Sequence, residues 1–199
     1  MTGGWTNNME EIEIRGRLNK ADFERLFTFF EENGKVKDHY HRLSVDISSG
    51  FDEVTKKWDY TSIFDLRIKK SDDKEKISMK VGPYHQKVRK EIEVKLMPDQ
   101  ILNALDLFET LGYKTGMIYF WESWEFDYKD FEVKLTKYSE DDYIFEIEST
   151  VSDPDLLAKQ LNLTSFTEEE FQKEIEWENQ KFHKLYKREE VEKILKTEF

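Results

Sequence analysis

Acids and bases alternate with apolar residues along Glu11–Arg17, which reads EIEIRGR. As a strand, this stretch points Ile12 and Ile14 one way and Glu11, Glu13, Arg15 and Arg17 the other. Two later segments repeat the arrangement. Arg89, Glu91 and Glu93 alternate with Lys90, Ile92 and Val94, and Glu146 and Glu148 alternate with Phe145 and Ile147. Clustered carboxylates repel one another and raise each other's pKa, so a hard cation such as Mg²⁺ or Mn²⁺ is their natural partner. The bases suit a different ligand: a guanidinium grips phosphate oxygens in pairs, and an ammonium supplies point charge. Three strands with charges on one face suggest a closed sheet around a wet lumen, because a packed core would not tolerate them. The plain alternative is a solvent-facing sheet whose acids and bases pair with one another, and alternation alone favours that alternative.

The elements that must position these residues follow from period and punctuation. Residues 1–9 form a loose start, and after the first strand Asn19 caps a helix running to about Glu32. Phe23, Leu26, Phe27 and Phe30 give that helix one apolar face, and Gly34 ends it. His39–Ile47 reads as a strand with Leu43, Val45 and Ile47 on one face and Arg42, Ser44 and Asp46 on the other. Residues 48–60 are a loop or a weak hairpin. Next come a hairpin, in which Phe64, Leu66 and Ile68 oppose Asp65, Arg67 and Lys69, and Ile77, Met79 and Val81 oppose Lys76, Ser78 and Lys80. A strand follows from Lys87 to Leu96. Pro98 opens a second helix, Gly112 closes it, and two or three strands cover 115–150. Asp153-Pro154 starts a helical tail in which Thr167 and Glu170 have capping-box spacing. The order is α+β with antiparallel sheet, in a single domain over 1–199 whose residues 153–199 are a helical C-terminal extension.

Composition excludes several classes of function. Charged residues make up 37% of the 199 residues and the net charge is −12, which repels phosphate backbones and anionic membranes. A small anionic ligand in a local basic site is compatible with that shell. Cysteine is absent, so there are no disulfides, thiolate metal sites or cysteine nucleophiles. No signal peptide is evident, and no apolar run nears the roughly 18 residues of a membrane span, so the expectation is a cytoplasmic protein, monomer or homodimer. His39, His41, His85 and His183 lack metal-ligand spacing and are expected in surface or rim roles. The aromatic residues from 120 to 126 are expected to pack or to edge a tunnel, with stacking of a base on Trp121 conceivable.

Taken together these segments resemble the CYTH superfamily, the triphosphate tunnel metalloenzymes, which includes class IV adenylyl cyclases, thiamine triphosphatases and inorganic triphosphatases. The family's E-x-E-x-K is similar to Glu11-x-Glu13-x-Arg15, and its L-R-x-R to Leu66-Arg67-x-Lys69. Its L-x-L-K-G-P is similar to Ile77–Pro83, its R-x-E-x-E to Arg89-x-Glu91-x-Glu93, and its late E-x-E to Glu146-x-Glu148. The LGY at 111–113 matches an L-G-F that follows the family's second helix. Five motifs in order over nearly the whole chain reverse the preference for a plain surface sheet. Two departures stand out: the family's K-x-R falls on Trp121 and Ser123, and its V-x-L-D on Val133-Lys134-Leu135-Thr136.

The resemblance implies an antiparallel β-tunnel of about eight strands, with helices outside and the tail bracing one end. It implies Mg²⁺ or Mn²⁺ on Glu11, Glu13, Glu146 and Glu148, and a triphosphate held by Arg15, Arg67, Lys69, Lys80 and Arg89; Lys134, on a departed motif, is expected to stand in for the bases missing at Trp121 and Ser123. Glu11, Glu13 and Lys80 would carry catalysis. The implied activity is metal-dependent hydrolysis of a nucleoside triphosphate, thiamine triphosphate or tripolyphosphate. Two alternatives stay open: a cyclase making cyclic AMP and pyrophosphate from ATP, and a degenerate tunnel that binds a nucleotide or polyphosphate without turnover.

Overall fold

The computed structural model describes residues 11–48, 50–59, 64–82 and 88–199, and of Glu11, Val88 and Arg89 the backbone alone. Strand β1 (Glu11–Leu18) leads into helix α1 (Lys20–Asn33), where the Asn19 side chain accepts from the Asp22 amide at 2.8 Å. That cap satisfies one of the amides a helix start leaves orphaned. Strand β2 (Lys35–Asp46) follows at once and begins four residues ahead of the expected His39. Its first residues pair with the far end of a long later strand through a bulge between Val36 and Asp38, a tertiary pairing that carries no local signal. The 48–60 stretch makes a small hairpin of β3 (Phe51–Asp52) and β4 (Lys57–Trp58), in which the Asp52 carboxylate accepts from the Val54 amide at 2.8 Å.

Strands β5 (Phe64–Ser71) and β6 (Lys74–Val81) form the expected hairpin, and β7 (Val88–Lys95) pairs with β6. Helix α2 (Ile101–Thr110) begins after Gln100, so Pro98 sits in the approach and does not open it. Three strands then cover the next segment: β8 (Met117–Tyr128), β9 (Phe131–Lys137) and β10 (Tyr143–Ser149). The tail contains α3 (Pro154–Gln160), α4 (Glu168–Lys181), the short β11 (Lys184–Leu185) and α5 (Arg188–Thr197). Thr167 and Glu170 form the capping box expected of them.

The sheet is antiparallel throughout, in the order β8-β2-β5-β6-β7-β1-β10-β9, and β9 also pairs with β8. Pairings therefore run round a tunnel. At the β1–β7 seam the described residues place Glu11 opposite Arg89 and Ile12 opposite Val88. The architecture is the α+β tunnel with outer helices that the sequence led us to expect.

Two cores lie outside the tunnel. One packs Ile14, Phe126, Leu135, Phe145 and Ile147 against Leu26 and Phe30 of α1 and Leu157 of α3. The other packs Leu43, Val45, Ile68 and Ile118 against Leu105 of α2 and Val191 of α5. Each such side chain contributes about 1.5–3 kcal/mol when fully buried, so the outward faces hold the barrel and leave the inward faces to charge. The tail also crosses β1, where the Phe166 amide donates to the Arg15 carbonyl at 2.7 Å. A Cβ on Gly16 would strike the Thr164 carbonyl and the Phe145 ring, so the crossing needs glycine there. No helix among the described residues is long and apolar enough to cross a membrane.

Candidate functional site

The two-residue period of each strand sends one row of side chains into the tunnel. Arg15 comes from β1, Arg42 and Asp46 from β2, Arg67 and Lys69 from β5, and Lys76 and Lys80 from β6. Glu91, Glu93 and Lys95 come from β7, Trp121 and Glu125 from β8, Lys134 from β9, and Glu146 and Glu148 from β10. They line one cavity of about 1060 Å³. Helix α4 lies across one end of it with Ile175 and Glu178 among the lining residues. That end is walled by aromatic side chains: Trp121 meets Tyr119 and Tyr138 edge-on, and Tyr138 stacks on Phe182. Trp121 thus has the packing and lining role expected of it.

On the β1–β10–β9 wall the acids are held by bases. Glu13 accepts from the Arg15 guanidinium and from Lys80 Nζ at 2.9 Å. Glu146 lies 3.6 Å from Arg15 Nε and accepts from Lys134 Nζ at 3.2 Å. Burial alone would push both carboxyls up, but Arg15, Lys80 and Lys134 outweigh it. Glu13 sits well below the ordinary carboxylate range and Glu146 at about 2. Glu148 differs. Burial, reinforced by the charges of Glu13, Glu146 and Glu132 against Lys134 alone, pushes it up to about 8. This wall carries surplus negative charge.

The β5–β6–β7 wall is the reverse. Arg67 grips Asp65 with two hydrogen bonds of 2.9 and 2.6 Å, and its Nε lies 3.1 Å from Asp46 Oδ2 as an ion pair without hydrogen-bond alignment. Asp46 accepts from Ser44 Oγ at 2.6 Å, yet burial and neighbouring Asp65 raise it to about 6. Lys69 is 7% exposed, and the carboxylate of Glu91 lies 4.0 Å from its Nζ. Burial first, then Arg67, Arg42 and Lys76, push its ammonium down to about 7.

The sequence-derived site residues can now be placed. Glu13, Glu146, Glu148, Arg15, Arg67, Lys69, Lys80 and Lys134 converge on one tunnel. The side chains of Glu11 and Arg89 lie outside the described residues, as does all of His85. The expectation for His183 is corrected. It is buried against Tyr119 with ring centroids 4.0 Å apart, neither ring nitrogen has a hydrogen-bond partner among the described residues, and burial pushes its pKa well down. The rings of Tyr119, Tyr138 and Phe182 surround it, which spacing could not reveal. At the two departures, Ser123 Oγ and Thr136 Oγ1 lie 2.8 Å apart, both buried, as a self-satisfied hydroxyl pair.

Other site residues were underweighted in the sequence. Asp46, Asp65 and Lys76 share parity with their motif neighbours, and that parity was the available signal. Glu178 reaches the cavity from α4, and nothing local announces it. Burial and the charge of Glu146, against Arg15 and Arg17, raise it to about 7.

The donor chemistry of Glu13, Glu146 and Glu148 suits a hard divalent cation, and the raised carboxyl of Glu148 marks where positive charge is wanted. In the arrangement described, however, Glu13 and Glu146 are turned to ammonium and guanidinium partners. No three His, Asp or Glu side chains among the described residues converge on a metal-sized point.

No protein-family model matches this sequence, and no curated protein does so significantly. Solved structures do match. PH1012 protein of Pyrococcus horikoshii superposes with a TM-score of 0.60 at 20% identity, covering 77% of this chain and 91% of that one. A protein put forward as an adenylate cyclase from Vibrio parahaemolyticus gives 0.55 at 15% identity over 78% and 84% of the two chains. Another, from Bacillus halodurans, gives 0.52 at 15% identity over 79% and 92%. Likeness at these identities is likeness of fold, so the chain shares the tunnel architecture of proteins put forward as adenylate cyclases.

Proposed function

We propose that the tunnel binds a triphosphate-bearing small molecule and, with Mg²⁺ or Mn²⁺, hydrolyses its terminal phosphoanhydride bond. One observation carries the reading: bases and acids face each other across a single cavity, each wall with surplus charge of its own sign. A chain of phosphates neutralises one wall, and a divalent cation neutralises the other. Arg67, Lys69 and Lys80 are placed to bind phosphate oxygens, with Lys134 and Arg15 reaching from the acidic wall. Glu13, Glu146 and Glu148, with Glu11 of the same sequence motif, would hold the cation, which when bound supplies charge neutralisation and a polarised water.

In this reading ligand binding is an exchange of partners. Lys80 and Arg15 leave Glu13 for phosphate, and the freed carboxylates close on the cation. The internal ion pairs keep the buried charges compensated in the meantime, since a lone buried charge costs several kcal/mol. Tyr138, Trp121 and α4 shut one end against water, which strengthens every charge–charge interaction inside.

A second reading is binding without turnover. It is favoured by Lys134, whose ammonium already sits among Glu125, Glu146 and Glu148, and by the neutral Ser123–Thr136 pair. One assay separates the readings: incubate the full chain with tripolyphosphate or ATP plus Mn²⁺ or Mg²⁺ and identify the products. Orthophosphate release is expected. Cyclic AMP with pyrophosphate would replace hydrolysis by cyclisation, and tight binding without products would leave a sensor.

A further inference from the structure

Three lysines form an unbroken row across three neighbouring strands of the basic wall. Lys69 of β5 stands opposite Lys76 of β6, and Lys76 stands opposite Lys95 of β7. Adjacent strands are about 4.8 Å apart, so the row covers roughly 10 Å of wall. All three side chains line the cavity. Like charges placed directly opposite each other destabilise a sheet, so the row does nothing for the fold. Its acids do not balance it. Lys76 pairs with Glu93, and Glu91 is shared between Lys69 at 4.0 Å and Lys80 at 3.9 Å.

A second observation lies beside the row. Ser78 is 1% exposed, and its Oγ has no hydrogen-bond partner among the described residues. An unsatisfied buried hydroxyl costs about 1–3 kcal/mol, a cost the wall carries beside the lysine row. Ser78 falls between Lys76 and Lys80 on the inward face of β6, opposite Arg67 on one side and Glu93 on the other. The hydroxyl therefore joins the Arg67–Lys80 clamp to the lysine row. Arg42 of β2 and Arg67 of β5 add positive charge at Lys69, and Glu91 of β7 is the acid that opposes them there.

We propose that Lys76 and Lys95, beside the buried Ser78 hydroxyl, extend the clamp outward from Lys69 as a second anion subsite, which takes the outer phosphates of a phosphoanhydride chain longer than three. The inference rests on the reading of the tunnel as a triphosphate site and extends its ligand class. Two sources share this chemistry, linear inorganic polyphosphate and nucleoside tetraphosphates.

The test is calorimetric titration of the metal-free full chain with tripolyphosphate, linear polyphosphate and adenosine tetraphosphate. At least one longer ligand is expected to bind about tenfold tighter than tripolyphosphate, as added charge-assisted hydrogen bonds allow, and which one does names the source. The double variant Lys76→Ala/Lys95→Ala is expected to lose that advantage and to keep tripolyphosphate affinity within about twofold. Lys76→Arg/Lys95→Arg, which retains the charge, should restore it. Equal losses for short and long ligands would overturn the proposal by making the lysines part of the triphosphate clamp, and so would no preference for length in the unaltered chain. Failure of the unaltered chain to bind tripolyphosphate would instead count against the triphosphate reading, with the length preference judged separately.

Discussion

Both walls of the tunnel mix acids with bases, yet each holds one buried group pushed far from its ordinary value, and the two are pushed in opposite directions. On the acidic wall Glu148 is pushed up to about 8 by burial, with the carboxylates of Glu13, Glu146 and Glu132 adding to it against Lys134. On the basic wall Lys69 is pushed down to about 7, by burial and then by neighbouring cations. Burial acts on both, and the neighbours that add to it are carboxylates on one wall and cations on the other. An ordinary internal salt-bridge network would mix the signs until neither group stood out. The tunnel mixes them on each wall but leaves each wall a surplus of one sign, which is what a bipolar ligand requires.

The sharpest way to break the comparison is to remove a carboxylate that faces both walls. Glu13→Gln should lower metal-dependent turnover of tripolyphosphate at least about a hundredfold, as loss of a group acting on the reacting phosphate does. The circular dichroism spectrum should stay native, because the lumen tolerates a neutral amide. Unchanged manganese dependence would take Glu13 out of the site.

Lys134 is the acidic wall's internal counter-ion. Lys134→Met should cost about 3 kcal/mol in denaturant unfolding at neutral pH, since it strips a partner from Glu146 and Glu125. Manganese should recover much of that loss if the vacated charge is where the cation belongs. A variant as stable as the parent, and indifferent to manganese, would dissolve the distinction between the walls.

On the basic wall, Arg67→Ala should weaken tripolyphosphate binding by about 1.5–3 kcal/mol, the range for a charge-assisted hydrogen bond. Calorimetry reads this directly. Affinity unchanged by the substitution would make that wall mere scaffolding.

Stability against pH should show the smallest effects, with opposite slopes. Lys69 binds its proton more weakly folded than unfolded, so its contribution grows as pH rises from about 7 towards the ordinary lysine value and is lost as pH falls through 7. Glu148 binds its proton more strongly folded, so its contribution is present below the ordinary carboxylate value and is lost as pH rises through about 8. Melting curves of Lys69→Met and Glu148→Gln should each remove one slope and leave the other.

Much of this arrangement was written in alternation. The parity of Glu13, Arg15, Arg67, Lys69, Lys80, Glu146 and Glu148 was legible because a strand has only two faces, and one had to be apolar to build the outer cores. Order along the chain supplied the tunnel. What stayed hidden depends on which strands become neighbours. Lys76 looked like any surface lysine until its register set it between Lys69 and Lys95. His183 and Glu178 needed α4 to fold across the tunnel end. Pro98 misled because a proline near a helix start fits N1 as readily as the approach to it.

The pairing of β1 with β10 sets a timetable for making the protein. Arg15 and Glu146 stand opposite each other in the ladder, although about two-thirds of the chain separates them. Contacts of such long reach form slowly, because the loop must be closed before the pairing repays it. The hairpin of Arg67 and Lys80 is local and has no such delay. The strap across Gly16 belongs to residues made later still. During synthesis the basic wall is thus complete while its counterpart waits for the last strand. A nascent chain passes through a stage that has cations for an anion but no finished acidic wall for a metal.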